Sequence, residues 1–573
     1  MEEAFDYFSQ PAQTRHHSSD FYKRRSFTYG DLTRDIARSR EQLLQKYGSS
    51  LSGQRVAFLA ENSYDYVVML FSILASDAIA LPLSPGFPAV ELKYILENSG
   101  AGMLLATEKY AGKARELVDQ SYNKSGPIVD IRPKILTQAG AGKSGSAEQL
   151  RDIRDSDSES KGGLMLYTSG TTNRPKGVFL PLSAILAQTQ SLIEAWRYSP
   201  QDYLLHLLPL HHIHGLVNAV IVPALAGSSI EFMYPFNPDA VWHRLADPFL
   251  QDSGEPRNNK ISFLTAVPTL YTRLMAAFPS LPADVQTAAK QAIAPHNLRL
   301  NISGSAALPT PIKKAWTELS NGNVLLERYG MTEVGMAISC GLDPNDRVDG
   351  SVGWPLPSVE VRLWDTDKGE TIKAGEEVDD TGRERVGEIQ LRGPTIFREY
   401  WGNPKATAES FVADEDNDSS SKGAWFRTGD VAVRRAVEGS GSSSSGEWAK
   451  GPMYFIQGRL SVDIIKTGGE KVSALEVERE LLSLPQIAEA AVVGLPSERW
   501  GQKVAAVIVL SQDSGGGRGM ESIMAVRRAL RDRLAMHKLP QELKVLAGPI
   551  PRNAMGKVNK KALIREVFGD ISV

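Results

Sequence analysis

The chain has 573 residues and a formal net charge of -3, from 64 Lys and Arg against 67 Asp and Glu. This balance argues against a broad basic surface for DNA or RNA, although a local cation or a helix N-terminus can still hold a small anion. The single cysteine, Cys340, excludes a disulfide within the chain, and its apolar surroundings predict a buried, unreactive thiol in a reducing compartment.

Strand-like and helix-like patterns alternate along the chain, which is typical of α/β layers with largely parallel sheets. The first of these elements are a strand at 55–62, a helix at 65–77, and strands at 78–83 and 102–107. The longest apolar run nearby, 66–83, contains Asp77. It therefore predicts buried elements rather than a membrane span.

Four stretches rich in Gly and Ser or in acidic residues predict solvated insertions: 138–148, 413–423, 436–448 and 511–520. The third lies between strand-like segments, so it predicts a long hairpin loop.

The length predicts more than one domain, because a single core rarely grows to this size. The best boundary lies at 458–463, giving a domain at 1–458, a hinge at 459–463 and a small α+β domain at 464–573. The elements predicted in the small domain are helices at 476–486 and 524–539 and strands at 488–496, 503–510 and 542–546.

The strongest local motif is residues 164–178, where an apolar strand runs into a loop of Ser, Thr and Gly followed by Lys176. Hydroxyl and backbone N–H groups on such a loop can wrap a polyphosphate, and the lysine adds positive charge. A Walker A loop is excluded, because Gly177 stands where the magnesium-binding Ser or Thr belongs.

This loop resembles the signature of the adenylate-forming superfamily, which includes acyl-CoA synthetases, luciferases and adenylation domains. Further segments match the motifs of that family in the right order: 302–309, 327–333, 425–430, the stretch from Gly458, and 551–563. The resemblance implies an α/β fold in which a large N-terminal domain of two helix-packed sheets and a small barrel-like subdomain is hinged to the small domain.

The resemblance also implies binding residues for ATP and AMP. Tyr329 would stack on adenine, and Asp430 would accept hydrogen bonds from the ribose. Glu333 and Thr172 would hold Mg²⁺, which prefers oxygen ligands. The full nucleotide set is Thr168, Ser169, Gly170, Thr171, Thr172, Ser303, Gly304, Ser305, Arg328, Tyr329, Gly330, Met331, Asp430 and Arg459.

Lys557 has the central catalytic role in this resemblance, bridging the acid and the α-phosphate, with Thr332, Glu333 and Lys176 completing the catalytic set. Gly468, Gly469 and Lys471 would line the path of coenzyme A. Two departures from the family pattern occur. Asn173 stands at a position that is commonly glycine, and three residues separate Arg459 from Asp463, which leaves the pivot of the hinge open.

Several segments resemble malonyl-CoA synthetases, which makes malonate the expected acid. A dicarboxylate requires a second anion site, for which the candidates are His212, His214 and Arg299, with Ser305 as a hydrogen-bond donor. The alternatives are a fatty-acyl-CoA synthetase, an adenylation enzyme that loads a carrier protein, and a non-enzymatic nucleotide-binding protein. No signal or transit peptide is recognisable, so the cytoplasm is the expected compartment.

Overall fold

The apolar runs of the sequence become strands and helices in the computed structural model, which describes residues 8–9, 25–48, 50–119, 126–135, 160–168, 174–250, 259–413, 423–441, 444–511, 520–552 and 558–569. The α-helices are α1 (Tyr29–Tyr47), α2 (Tyr64–Leu74), α3 (Ala89–Ser99), α4 (Ala111–Asp119), α5 (Leu182–Trp196), α6 (Val222–Leu225), α7 (Pro238–Ala246), α8 (Pro268–Ala277), α9 (Ala283–Ile293), α10 (Thr310–Leu319), α11 (Pro404–Glu409), α12 (Ala474–Leu482), α13 (Ile523–Leu530) and α14 (Lys560–Phe568). A π-helix, His214–Ile221, precedes α6.

The first sheet is parallel except for its second strand, which runs antiparallel to both of its neighbours. In spatial order it contains β18 (Glu399–Tyr400), β7 (Lys176–Pro181), β6 (Gly163–Thr168), β3 (Ile79–Pro82), β2 (Arg55–Leu59), β4 (Met103–Thr107) and β5 (Ile128–Arg132). Successive residues of β2, β3 and β4 enter two different cores, so both faces of the sheet are covered. Such burial explains why these strands read as unbroken apolar runs.

The second sheet shares one of these cores with the first and has a second core on its other face. In spatial order it contains β1 (Phe8–Ser9), β9 (Ser229–Phe232), β8 (Tyr203–His206), β10 (Phe263–Ala266), β11 (Leu300–Ser303), β12 (Leu326–Met331), β13 (Gly335–Ser339) and β14 (Trp354–Pro355). The strands from β1 to β12 are parallel, so their carboxyl ends lie at one edge. Ligands of α/β sheets bind outside such an edge.

The third sheet is antiparallel. It contains β16 (Glu370–Thr371), β15 (Glu360–Asp365), β17 (Gly387–Arg392), β20 (Trp425–Arg435) and β19 (Phe411–Val412), with β21 (Met453–Arg459) paired to β20. The predicted hairpin around residues 436–448 is therefore present, as the connection between β20 and β21.

This connection is not simply solvated, which corrects the expectation for 436–448. Ser445 is buried, and its hydroxyl donates to the fully buried carboxylate of Asp346. The Gly441 N–H donates to the same carboxylate over 2.7 Å. Small polar residues can satisfy a buried anion as well as face water, so composition alone did not predict this contact. The insertion at 138–148 and most of those at 413–423 and 511–520 lie outside the described residues.

The fourth sheet lies downstream of the predicted hinge and has its own cores. It contains β23 (Glu470–Ser473), β22 (Ile464–Thr467), β25 (Gly501–Leu510) and β24 (Ile487–Ser497), with β26 (Glu542–Leu546) paired to β25. Helices α12 and α13 cover one face of this sheet and α14 covers the other. The domain limits themselves stay a prediction.

The helix predicted at 524–539 is shorter than expected and ends at Leu530. Leu534 and Leu539 both pack into the core that also holds Leu530. The chain has to turn after Leu530 to bury them, so tertiary packing overrides the local helical pattern.

The expected fold class is confirmed: a large α/β N-terminal part with sheets and helices is joined to a smaller C-terminal domain. Cys340 is buried, as the sequence predicts. Among the helices of the described residues, none has both the length and the apolar character needed to cross a membrane.

Candidate active site

The phosphate loop predicted from the sequence joins two paired strands. Strands β6 and β7 are antiparallel, and their register places Thr168 opposite Lys176 at the end of the hairpin where the loop connects them. Ser169, Gly170, Thr171, Thr172 and Asn173 lie outside the described residues. The flanks of the loop are therefore held at the edge of the first sheet, while the roles of its hydroxyls stay predictions.

Tyr400 connects Lys176 to Glu333. The Lys176 ammonium nitrogen lies 4.9 Å from the centroid of the Tyr400 ring, and the Tyr400 hydroxyl donates to Glu333 Oε1 over 2.9 Å. A cation over an aromatic face is attracted by the π-electrons of the ring. Sequence reasoning missed Tyr400, because it lies outside the motifs considered and 67 positions from Glu333.

The carboxyl group of Glu333 is in an environment that disfavours its charge. Burial raises the pKa of Glu333, and the hydrogen bond from Tyr400 and the charge of Arg459 partly oppose that rise. The described residues contain no cluster of three or more His, Cys, Asp or Glu that could hold a metal ion. The predicted role of Glu333 and Thr172 in holding Mg²⁺ stays a prediction, because Thr172 lies outside the described residues.

The residues predicted to hold the nucleoside form one connected group. The Tyr329 hydroxyl donates to Asp430 Oδ2 over 2.8 Å, and Arg459 Nε donates to Asp430 Oδ1 over 3.0 Å. Asp430 and Arg459 are opposite each other in the β20–β21 pairing, and Asp430 raises the pKa of Arg459. Each oxygen of the carboxylate retains a second lone pair, so Asp430 can still accept bonds from a ribose.

Ser303, Gly304 and Ser305 lie at the carboxyl end of β11, beside Arg328 on β12. A Cβ on Gly304 would come within 2.4 Å of Arg328 Nε, so only glycine leaves room for the guanidinium. Arg328 is buried, and no acceptor among the described residues bonds to its Nε or to one of its terminal nitrogens. Burial lowers the pKa of Arg328 to about 10, which leaves it charged at neutral pH.

A neutral histidine lies near this cation. Thr265 and Ser305 hold the His214 ring, with 2.6 Å from Nε2 to Thr265 Oγ1 and 3.1 Å from Nδ1 to Ser305 Oγ. Burial lowers the pKa of His214 well below its ordinary value, and the charge of Arg328 lowers it further. His214 therefore serves as a hydrogen-bonding group and not as a cation.

Two other candidates for the acid pocket have structural partners. Arg299 Nε donates to Asp202 Oδ1 over 2.6 Å, and its terminal nitrogens donate to the carbonyl oxygens of Trp196 and Arg197. The His212 ring packs against His211 at 4.1 Å between centroids. Because the charge of Arg299 is already paired, we replace it with Arg328 as the proposed acid-binding cation. The motif alone predicts that Arg328 binds the nucleotide.

The remaining predicted residues extend the site in two directions. Gly330 and Met331 complete β12, and Thr332 and Glu333 occupy the turn that follows it. Lys471, predicted to contact coenzyme A with Gly468 and Gly469, has its ammonium nitrogen 2.7 Å from Asp367 Oδ2. Lys557 lies outside the described residues.

Comparison with known proteins agrees with this arrangement of sheets and motifs. The family of AMP-binding enzymes matches residues 8–401, and the AMP-binding enzyme C-terminal domain matches residues 476–557. The chain belongs to this family. It is, more specifically, an AMP-forming acid–CoA ligase, which uses ATP and coenzyme A with a small acid.

Its relatives include a CoA ligase of Gibberella moniliformis, 55% identical over 95% of this chain and 91% of that protein. The mitochondrial malonate–CoA ligase of Homo sapiens is 39% identical over 94% of this chain and 88% of that protein. Among solved structures, ATP-bound MatB of Rhodopseudomonas palustris has a TM-score of 0.72 and 27% identity, covering 95% of this chain and 94% of that one.

The contact between Tyr400 and Glu333 predicts a change in pH dependence. Glu333 must be ionised to hold a cation, so the activity that depends on it is lost as the pH falls through its pKa. Removing the hydroxyl in Tyr400→Phe deletes a bond that lowers this pKa. We expect the acidic limb of the kcat/KM profile to move to higher pH, measured at saturating magnesium. Tyr454→Phe, at a similarly buried tyrosine of the third sheet, is the control, and an unshifted limb in Tyr400→Phe would contradict the role of this contact.

Proposed function

We propose that this acid–CoA ligase activates malonate, forming malonyl-AMP with ATP and then malonyl-CoA. The single observation that carries the choice of acid is the buried guanidinium of Arg328, whose Nε and one terminal nitrogen have no acceptor among the described residues. A buried charge without a partner is destabilising by several kcal/mol. The second carboxylate of a dicarboxylic acid supplies that partner, whereas an alkyl chain does not.

The surroundings of Arg328 support the same choice. Its position beside Gly304 is at the carboxyl end of parallel strands, where ligands of such sheets bind. His214 is neutral there, so it adds no second positive charge beside Arg328. The human relative is named a malonate–CoA ligase, whereas the name of the Gibberella relative specifies no acid.

In the first step, a carboxylate oxygen of the acid attacks the α-phosphorus of ATP, the bond to pyrophosphate breaks, and acyl-AMP forms. The reaction needs no covalent enzyme intermediate, so positioning and charge neutralisation supply the catalysis. We assign Lys176, Arg459 and Lys557 to the phosphates and the attacking acid. Magnesium held by Glu333 and Thr172 would neutralise phosphate charge.

In the second step, the sulfur of coenzyme A attacks the acyl carbon, the bond to AMP breaks, and the thiol proton is released to solvent. We propose that Gly468, Gly469 and Lys471 line the path of the thiol after the small domain rotates about 459–463. Such rotation would separate Lys471 from Asp367, whose side chains now form an ion pair of 2.7 Å. We retain the cytoplasm as the proposed compartment, although the name of the human relative places that protein in mitochondria.

A panel of acids tests the proposed substrate. With malonate, methylmalonate, succinate, acetate and hexanoate, we expect malonate to give the highest kcat/KM, measured as CoA-dependent release of AMP. We expect this order because only a dicarboxylic acid supplies a second carboxylate to pair with Arg328. A monocarboxylic acid as the best substrate would contradict the proposal.

Substitution of Arg328 distinguishes a loss of acid recognition from a loss of activity toward every acid. Arg328→Met should lower kcat/KM for malonate by a factor on the order of 10²–10³, the scale for losing a buried ionic contact. It should leave the value for acetate within about threefold, because acetate makes no such contact.

Arg299→Met is the matched control, since it removes an arginine that pairs with Asp202 instead. It should lower the melting temperature but leave the malonate-to-acetate ratio within about twofold, because this cation is structural. The assignment to Arg328 fails if the ratio changes in Arg299→Met and not in Arg328→Met.

Lys557→Ala tests the catalytic lysine. Charge develops on the phosphate oxygens during attack, so a fixed ammonium stabilises the transition state more than the ground state. We expect acid-dependent exchange of pyrophosphate into ATP to fall by a factor on the order of 10²–10³. Thioester formation from preformed malonyl-AMP should be nearly unchanged. Lys561→Ala, an exposed lysine nearby, is the control, and equal losses in both half-reactions of Lys557→Ala would refute the assignment.

A further inference from the structure

Lys560, the first residue of α14, makes two ion pairs in the small domain. Its ammonium nitrogen lies 2.6 Å from Asp463 Oδ1 and 2.7 Å from Glu478 Oε1, and its side chain is only 10% exposed. We call Lys560, Asp463 and Glu478 the hinge clamp. The cation joins three separate segments, because Asp463 closes the predicted hinge, Glu478 lies on α12, and Lys560 begins α14.

Each carboxylate of the hinge clamp also accepts a hydrogen bond from a backbone N–H group. Asp463 Oδ2 accepts a hydrogen bond from the Arg459 N–H over 2.9 Å, and Glu478 Oε1 accepts one from the Val492 N–H over 2.8 Å. Gly458 has a φ of 119°, and a Cβ there would come within 2.4 Å of Asp463 Cβ. The hinge turn is therefore closed around the Asp463 side chain.

The hinge clamp is continuous with the nucleotide site. Arg459, whose backbone binds Asp463, uses its side chain to bind Asp430, and Asp430 also binds Tyr329. One line of polar contacts thus runs from Tyr329 on β12 to the first turn of α14. These contacts hold both ends of the hinge, and they tie the hinge to the first residue of α14.

We propose that Lys560 is a positioning residue, which fixes the start of α14 against the hinge so that Lys557 reaches the same place in each adenylation. Lys557 is three positions before Lys560 in the sequence. Fixing Lys560 therefore limits how far the Lys557 side chain can move. The inference rests on the role proposed for Lys557. It assigns Lys560 no contact with any substrate.

The test compares the two half-reactions in Lys560→Met. Adenylation, measured as malonate-dependent exchange of pyrophosphate into ATP, should fall by about tenfold to a hundredfold, the scale for displacing a catalytic group by about an ångström. The loss should appear in kcat with little change in the KM for ATP. Thioester formation from preformed malonyl-AMP should fall by less than about threefold. Lys560→Arg, which keeps the cation, should restore most of the exchange rate.

Lys561→Met is the matched control, because it removes the adjacent, exposed lysine of α14 and should leave both half-reactions unchanged. If Lys560→Met does not fold, Lys560→Met combined with Glu478→Gln removes the cation and one anion together, and the same split between half-reactions is expected. Equal losses in both half-reactions, or no loss, would overturn the inference.

Lys557→Ala in the same assays distinguishes the two proposals. A normal exchange rate in Lys557→Ala means that the catalytic assignment has failed. A large loss in Lys557→Ala with a normal rate in Lys560→Met means that only the hinge clamp has failed.

Discussion

Strand β12 places consecutive side chains on opposite faces, and this alternation organises the candidate active site. Arg328 lies against Gly304 and beside His214, whereas Tyr329 contacts Asp430 on the other face. The turn that follows the strand contains Glu333. Strand β12 and the turn after it therefore contribute side chains to the proposed acid pocket, the nucleoside region and the proposed magnesium position. A small shift of β12 would disturb all three.

The proposed acid pocket has its charge built in before any ligand binds. Tyr198 donates to Asn218 Oδ1 over 2.8 Å, and Asn218 and His214 both contact Thr265, so the polar groups around Arg328 hold one another in place. These bonds fix the side chains around Arg328, and a pocket fixed in advance loses less entropy when it binds. Burial lowers the pKa of His206 to about 4 and that of His211 to about 3, so these histidines add no charge at neutral pH.

Sequence reasoning predicted the features that depend on local pattern. The apolar runs gave β2, β3 and β4, and the ordered motifs gave the family, because both signals are contained within a few residues. Contacts between residues far apart in the sequence could not be predicted in this way. The ion pair of Arg299 with Asp202 spans 97 positions, and nothing near Arg299 indicates it.

The motif at 327–333 predicted a ligand-binding segment but not which face of β12 each side chain occupies. The motif therefore predicts Arg328 at the nucleotide, and the proposal that it binds the acid instead rests on its contact with Gly304 and its place near His214. The helix predicted at 524–539 is longer than the observed one for a related reason, because the burial of Leu534 and Leu539 depends on the neighbouring sheet. The phosphate loop and Lys557 remain predictions from the motifs.

The docking of the β20–β21 connection has a practical consequence for altering this protein. A serine-rich loop is an obvious place to trim the chain or to insert a tag. Here the Ser445 hydroxyl and the Gly441 N–H satisfy the carboxylate of Asp346, which is fully shielded from water. Shortening the loop would leave that anion in the interior with fewer donors, so an apparently dispensable segment serves as the cover of a buried charge.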